Sequence, residues 1–253
     1  MKFFRRIRKR LVSRKKFSKY IAYALGEIIL VVIGILIALA INNKNQNRIN
    51  EKNEQIYLAG LREEFETSKF KLTELIAVNQ ANYRGAQEIL KHISANEAPA
   101  EIVFSKLLYN TFSADVAFNP NNSLLIEMVN SGNLKNLSNP TLRKQLTNWT
   151  ATMEDISRQE EELAIQREKV LDMFRTDKNS LKTIFQHAGV YDDLNLPESE
   201  NKASNLALLK SRAFENNVLM FILTSYATEK AHYDPLMQEI DDILVLIGTE
   251  RKE

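Results

Sequence analysis

Two kinds of hydrophobic pattern divide the chain. From Tyr20 to Ile41 it reads YIAYALGEIILVVIGILIALAI, a continuous apolar run with Glu27 as its one charge and no polar face. A helix rises about 1.5 Å per residue, so this run is long enough to cross a hydrocarbon core of about 30 Å. A soluble core helix of that length would carry a polar face, so the run predicts a transmembrane helix. Beyond it the pattern becomes striped. Asn42 to Asn47 is polar but holds neither Gly nor Pro, so the helix is expected to continue outward. A stripe then alternates three and four residues through Leu58, Leu61, Phe65, Ser68, Leu72, Leu75, Asn79, Asn82, Ala86, Ile89 and Ile93, the spacing of a long helix packing at a shallow angle. Gly60 and Gly85 each cost such a helix roughly 1 kcal/mol against alanine, which its length absorbs.

Pro99 breaks the pattern. A short helix is expected over Glu101 to Val116, a turn at Asn119-Pro120-Asn121-Asn122, and a second short helix from Ser123 to Asn130 ending at Ser131-Gly132. Asn139 as cap and Pro140 at the first helical position announce the next long helix. Its stripe runs Leu142, Leu146, Trp149, Met153, Ile156, Glu160, Leu163, Arg167, Val170 and Phe174. Glu160 and Arg167 interrupt it. Either the stripe drifts towards solvent there, or each charge pairs with a facing helix; drift is preferred, because an unpaired buried charge is expensive. The pattern lapses from Ala188 to Glu200. A last helix opens near Ser204 with Leu206, Leu209, Ala213, Met220, Leu223 and Ala227 as its apolar face. Asp234-Pro235 caps a restart or kinks it, Leu236, Ile240, Ile243, Leu244 and Ile247 continue, and Gly248 ends it.

These elements predict an all-α protein: a single N-terminal transmembrane helix followed by an elongated antiparallel helical bundle with long coiled-coil-like helices. The expected parts are a basic amphipathic cytoplasmic arm (1–19), the span (20–41) and an extracytoplasmic helical domain (42–253). Seven Gly and five Pro in 253 residues suit long helices better than a turn-rich β architecture.

Charge sharpens the topology. Residues 1–20 hold ten Lys or Arg and no acid; without them 24 basic residues stand against 32 acidic, a net −8. The positive-inside bias therefore holds the N-terminus in the cytoplasm and sends the body across. Ala38-Leu39-Ala40 resembles a signal-peptidase site, but the long basic region and long apolar run favour an uncleaved anchor. In the arm, Phe3, Phe4, Ile7 and Leu11 fall at helical spacing, so it is expected to lie in the interface with Arg5, Arg6, Arg8, Lys9, Arg10, Arg14, Lys15 and Lys16 on anionic headgroups. Attachment to a span favours lipid over nucleic acid as the partner of these charges.

Two features of the span go beyond anchoring. Ala22, Gly26, Gly34 and Ala38 share an i, i+4 row broken only by Leu30, which either supports self-association or reflects the ordinary abundance of small residues in spans. Glu27, about two turns from Tyr20, either snorkels or meets a partner within the membrane.

The segment KYIAYALGEIILVVIGILIALAINN, from Lys19 to Asn43, resembles a family of small single-pass membrane proteins from one lineage of Gram-negative bacteria, a domain of unknown function. Its hallmark run is matched by Lys19, Tyr20, Tyr23, Ala24, Gly26, Glu27, Ile28, residues 30–37, Ala38 and Leu39, while Ala40 stands in place of Gln and Lys44 in place of Trp. A softer similarity covers Ser131-Gly132-Asn133-Leu134 through Asn139 to Leu142-Arg143. The resemblance implies an inner-membrane location and a periplasmic helical part, and implies no activity.

Candidate chemistry is sparse. There is no cysteine, so no disulfide framework and no thiolate site is available. Nucleophile-elbow, phosphate-loop and paired zinc motifs are absent. Glu229-x-x-His232 has di-iron spacing but lacks a second such pair, and Glu88 with His92 reads as a surface pair. No catalytic residue, cofactor or metal is expected. The leading expectation is a membrane-anchored interaction or scaffold protein of the cell envelope that binds its own copies or another envelope protein. The alternative is a single-pass sensor whose bundle binds a ligand, its identity unknown, and signals through a partner.

Overall fold

The computed structural model describes residues 14–95, 98–197 and 203–250, with side chains from Tyr20 onward except that of Ala22. Helices make up about 85% of the described residues and no strand occurs among them, so the protein is all-α. It divides into two compact units, Met1–Ile56 and Tyr57–Glu253.

The first helix, α1, runs from Arg14 to Ala95 without a break, as the absence of Gly and Pro after the apolar run predicts. In the first unit, its apolar segment is the one stretch among the described residues long and apolar enough to cross a membrane. None of its most apolar window is buried within the protein, and its mean hydropathy is 2.9.

The second unit begins with the outer part of α1, where the 3–4 stripe is buried from Leu58 to Ile89, with Leu75 and Ile93 half-buried. Two short helices follow, α2 (Glu101–Phe112) and α3 (Ser123–Asn130). The glycines of α1 are what let these approach. A Cβ on Gly60 would run into the Leu124 side chain on α3, and one on Gly85 into Thr111 on α2. At Gly85, where the β-branched Thr111 has little room to move, the expected drain on helix propensity is therefore a packing requirement. Glu64 then caps α3 from outside: its two carboxylate oxygens accept the Leu124 and Leu125 N–H groups at 2.6 and 3.2 Å, where Asn122 offers no side-chain cap. Ser68 and Asn121 exchange hydrogen bonds, and Lys71 donates to Asn119 and Asn121, fixing the turn between the short helices.

Helix α4 (Pro140–Phe174) starts as its sequence predicts, with the Asn139 side chain accepting from Thr141 and Leu142 at 2.9 and 3.0 Å and Pro140 in the first turn. Its apolar stripe is buried along its length, each large side chain contributing about 1.5–3 kcal/mol. A short helix, α5 (Leu181–Ala188), was not expected. Ser180 caps it and Gly189, at φ +88°, closes it in the left-handed region. The four-residue α6 (Val190–Asp193) follows directly. Helix α7 (Arg212–Thr228) and α8 (Asp234–Glu250) complete the bundle.

Side-chain pairs fix the directions. Along α4 and α7–α8, Asn139 meets Glu250, Thr152 meets Glu239, Gln159 meets Thr228, and Asn217 reaches the Lys169 carbonyl, so the two lines are antiparallel. α1 is antiparallel to α7–α8 as well, through Lys69 with Asp241, Asn79 with Ser225 and Gln80 with Glu229. Phe65 of α1 packs edge-on against Trp149 of α4 at 4.9 Å, and Phe112, Phe174, Phe214 and Phe221 knit α2, α4 and α7 together.

Several expectations are corrected. α2 ends at Phe112 rather than Val116, and α8 continues past Gly248 to Glu250. Glu160 and Arg167 do not drift towards solvent: Glu160 is 8% exposed and Arg167 donates to the Phe112 and Ser113 carbonyls at 2.8 and 3.1 Å. The face chosen for α7 was also wrong. Phe214, Val218, Phe221, Ser225 and Thr228 are buried, while Met220 and Leu223 point outward. Finally, Asp234-Pro235 does not cap a restart, since the helical ladder runs on without a gap. A π-helical turn at Glu229–Tyr233 joins α7 to α8, and the wider turn accommodates a proline that would otherwise clash with a carbonyl four residues earlier.

Candidate functional site

The π turn sits beside a buried polar layer. Asn79, fully buried on α1, donates at 3.0 Å to the Ser225 carbonyl, which also accepts the Glu229 N–H at the start of the π turn. Glu229, 2% exposed, accepts from Gln80 at 3.1 Å and pairs with Lys230 at 2.9 Å. On the other side of the turn, one oxygen of Glu160 accepts both the Tyr233 hydroxyl at 2.6 Å and the Phe118 N–H at 2.8 Å. Burial pushes the Glu160 carboxyl above its ordinary 4.5, against the opposing pull of those two donors. Burial and the adjacent carboxylate likewise push the Tyr233 phenol far up. Each pair ties two elements together, while Asn79 Oδ1, Asn82 Nδ2, Ser225 Oγ and Glu229 Oε2 are buried without a hydrogen-bond partner among the described residues. Sequence reasoning found Glu160 as an interruption but missed Tyr233 and the π turn; Asp234-Pro235 was the one signal of irregularity there.

The Glu229-x-x-His232 spacing does not converge. The π turn separates the two side chains: Glu229 faces Gln80, while His232 Nδ1 lies 3.3 Å from Asp155. Glu88 pairs with Lys91 at 2.7 Å. No group of three or more acidic or histidine side chains suited to a metal occurs among the described residues.

The residues singled out in the span lie on the apolar stretch of α1. Gly26, Glu27, Gly34 and Ala38 are exposed, and nothing comes within 4 Å of a Cβ built on Gly26 or Gly34. The row is thus open along the described side chains; that of Ala22 lies outside them. Of the basic arm, Arg5, Arg6, Arg8, Lys9 and Arg10 lie outside the described residues, and Arg14, Lys15 and Lys16 are described as helical backbone alone.

One surface stands out on the body. Leu219, Met220, Leu223 and Tyr226, at helical spacing along α7, are all about half exposed, with Leu223 at 60%. α7 is therefore apolar on both sides, one face filling the core and the other bare. Met220 and Leu223 belonged to the stripe read from sequence, so that reading found a real apolar face and assigned it to the wrong side. Counting Phe214, Val218 and Phe221 as a second stripe would have exposed the ambiguity.

The architecture defines an all-α protein in which a helix apolar enough to cross a membrane precedes a helical bundle. The chain belongs to a family of unknown function (DUF6090), whose model matches residues 27–181, from inside the apolar run through α4 to the start of α5. No curated protein and no solved structure matches the chain.

Proposed function

We propose that the protein is a membrane-anchored, non-enzymatic interaction protein of the cell envelope, its bundle held on the far side of the inner membrane from a cytoplasmic N-terminus. The observation that carries this reading is the bare face of α7. Contiguous exposed apolar side chains on an otherwise well-packed bundle are characteristic of surfaces that are covered in an assembly. The apolar run supports the anchor, since leaving all of it in water would forfeit the transfer free energy of more than a dozen large side chains. Its basic flank supports the orientation.

A photo-reactive phenylalanine analogue in place of Leu223, in the full chain in cells, tests the surface. Phe70, exposed on α1, is the comparison site. A discrete adduct from position 223, either a dimer or a complex with one other protein, supports the proposal. Equal or absent cross-linking at both positions overturns it. The chain has no cysteine, so Ser13→Cys and Asn45→Cys test the orientation on a clean background. In spheroplasts an impermeant maleimide should label the second and spare the first.

A further inference from the structure

A cleft of about 410 Å³ opens between α2, the end of α4, α5 and α6. Its volume falls within the range of small-molecule sites. The walls are apolar, formed by Phe112, Phe174, Ile184 and Leu194 among others, and the charged residues that line it among the described ones are Arg167 and Arg175. The two arginines are not equivalent. Arg175 is already engaged through one nitrogen, with Glu168 at 2.7 Å and Asp172 at 3.0 Å. Arg167 is held by two backbone carbonyls, and its nearest carboxylate oxygen, on Glu168, stands 3.6 Å away. A guanidinium carries five N–H donors, and the two carbonyls use two of Arg167's. Arg167 is thus fixed in place and largely buried, with Glu168 at 3.6 Å as its one ion-pair partner among the described residues and N–H donors left over for a ligand.

The outer wall carries a second sign of a ligand. Leu194 lines the cleft yet is 63% exposed, and the neighbouring Leu196 is exposed as well. The chain reaches this wall through Gly189 at φ +88° and leaves it through Asn195 at φ +50°, so two left-handed residues bracket α6 and hold it over the opening. Two large apolar side chains left in water beside an apolar cleft are what a bound chain would cover.

We infer that this cleft binds a single-chain amphiphile with one negative charge, its tail along the Phe112, Phe174, Ile184 and Leu194 wall and its carboxylate at Arg167. Charge sets the class: a cationic head would face two guanidiniums, and a neutral one would leave the donors of Arg167 without an acceptor. The site is independent of the bare face of α7. A ligand there would supply what the sensor alternative requires.

The test uses the full chain in lipid discs, with decanoate as probe and decanol and decyltrimethylammonium as head-group controls. Melting is followed through Trp149, the single tryptophan, which is buried away from the cleft lining. A ligand that binds the folded state alone raises the melting midpoint with its concentration. Decanoate is expected to give a saturable rise that neither control reproduces. Arg167→Gln should weaken half-saturation by roughly tenfold or more, the equivalent of one charge-assisted hydrogen bond. Because that variant also loses carbonyl contacts, Leu194→Asp is the second arm. It alters an exposed wall residue at little cost to the fold and should abolish the shift. An equal shift from all three amphiphiles, or an unchanged decanoate shift in Leu194→Asp, marks an effect of the bilayer and overturns the inference.

Discussion

The two parts of α1 are the same kind of helix with opposite relations to their surroundings. Between Tyr20 and Ile41, every large apolar side chain that is described is exposed, whatever its position on the helix. Between Leu58 and Ile89, burial follows a 3–4 rhythm relaxed at the half-buried Leu75, with charged residues such as Glu63, Glu66 and Lys69 between. What separates them is the angular distribution of apolarity, since both parts are rich in it. A stripe one face wide is matched by a protein partner, and a helix apolar all round needs an apolar medium. The largest expected effect follows from that contrast. Phe65→Ala, which removes the ring packed against Trp149, should cost the body about 3–5 kcal/mol. Leu36→Ala should leave the body within about 0.5 kcal/mol of wild type. Chemical unfolding of the full chain in lipid discs, followed by helical circular dichroism, measures both. Similar losses would erase the distinction between the two parts.

Legibility followed the same contrast. The α1 and α4 stripes were read almost residue for residue, because each is long and one-sided. α7 was misread because Leu219, Met220 and Leu223 compete with Phe214, Val218 and Phe221 for the core, and a period has no information about which of two apolar faces is filled. α5 was missed although Ser180 and Gly189 bracket it, whereas the equally short α3 was found because the Asn119–Asn122 turn and Ser131-Gly132 mark its ends. The polar layer was half legible. Glu160 broke the stripe visibly, but its partners, Tyr233 and the Phe118 backbone, are distant in sequence and no local rule names them. The cleft was not legible, since it is made by the mutual placement of four helices.

The glycines sharpen the comparison with a smaller effect. Gly85 lies where α2 presses on α1, and alanine there would gain roughly 1 kcal/mol of helix propensity but drive its Cβ into the buried, β-branched Thr111. Overpacking costs typically about 1–3 kcal/mol, so a net loss of the order of 1 kcal/mol is expected. The Thr111 hydroxyl has no hydrogen-bond partner. Adding Thr111→Ala therefore removes the obstacle without orphaning another group, and the double variant should recover most of the loss in the same unfolding measurement. Failure of that rescue would assign the Gly85 requirement to something other than the contact with α2.

Glu160 adds a pH dependence confined to the body. Its carboxyl is raised above 4.5 in the fold, so it contributes most to stability below that value, and the contribution is lost as pH rises through the raised folded value. Glu160→Gln keeps an oxygen that can accept from both Tyr233 and Phe118 while removing the charge. The variant should melt higher than wild type at neutral pH, and the difference should shrink as pH falls towards 4.5. A difference that grows on acidification would reverse the assigned sign and mean that the charged form is the one the fold prefers.

The smallest effect on folding is expected in the span, and it is the one that could break the contrast. Nothing in the described chain approaches Gly26 or Gly34, so Gly34→Ile should leave the unfolding of the body unchanged. Small residues on one row matter in lipid only if another backbone comes close, because lipid tails solvate a leucine as well as a helix does. The same substitution should therefore lower dimer formation by the full chain, measured by energy transfer between labelled copies in lipid discs. Ile35→Val, off the row, should leave dimer formation as it was. If Gly34→Ile changes neither quantity, the row is ordinary span composition. If it changes the stability of the body instead, the span and the bundle are coupled, and treating the two parts of α1 as separately solvated fails.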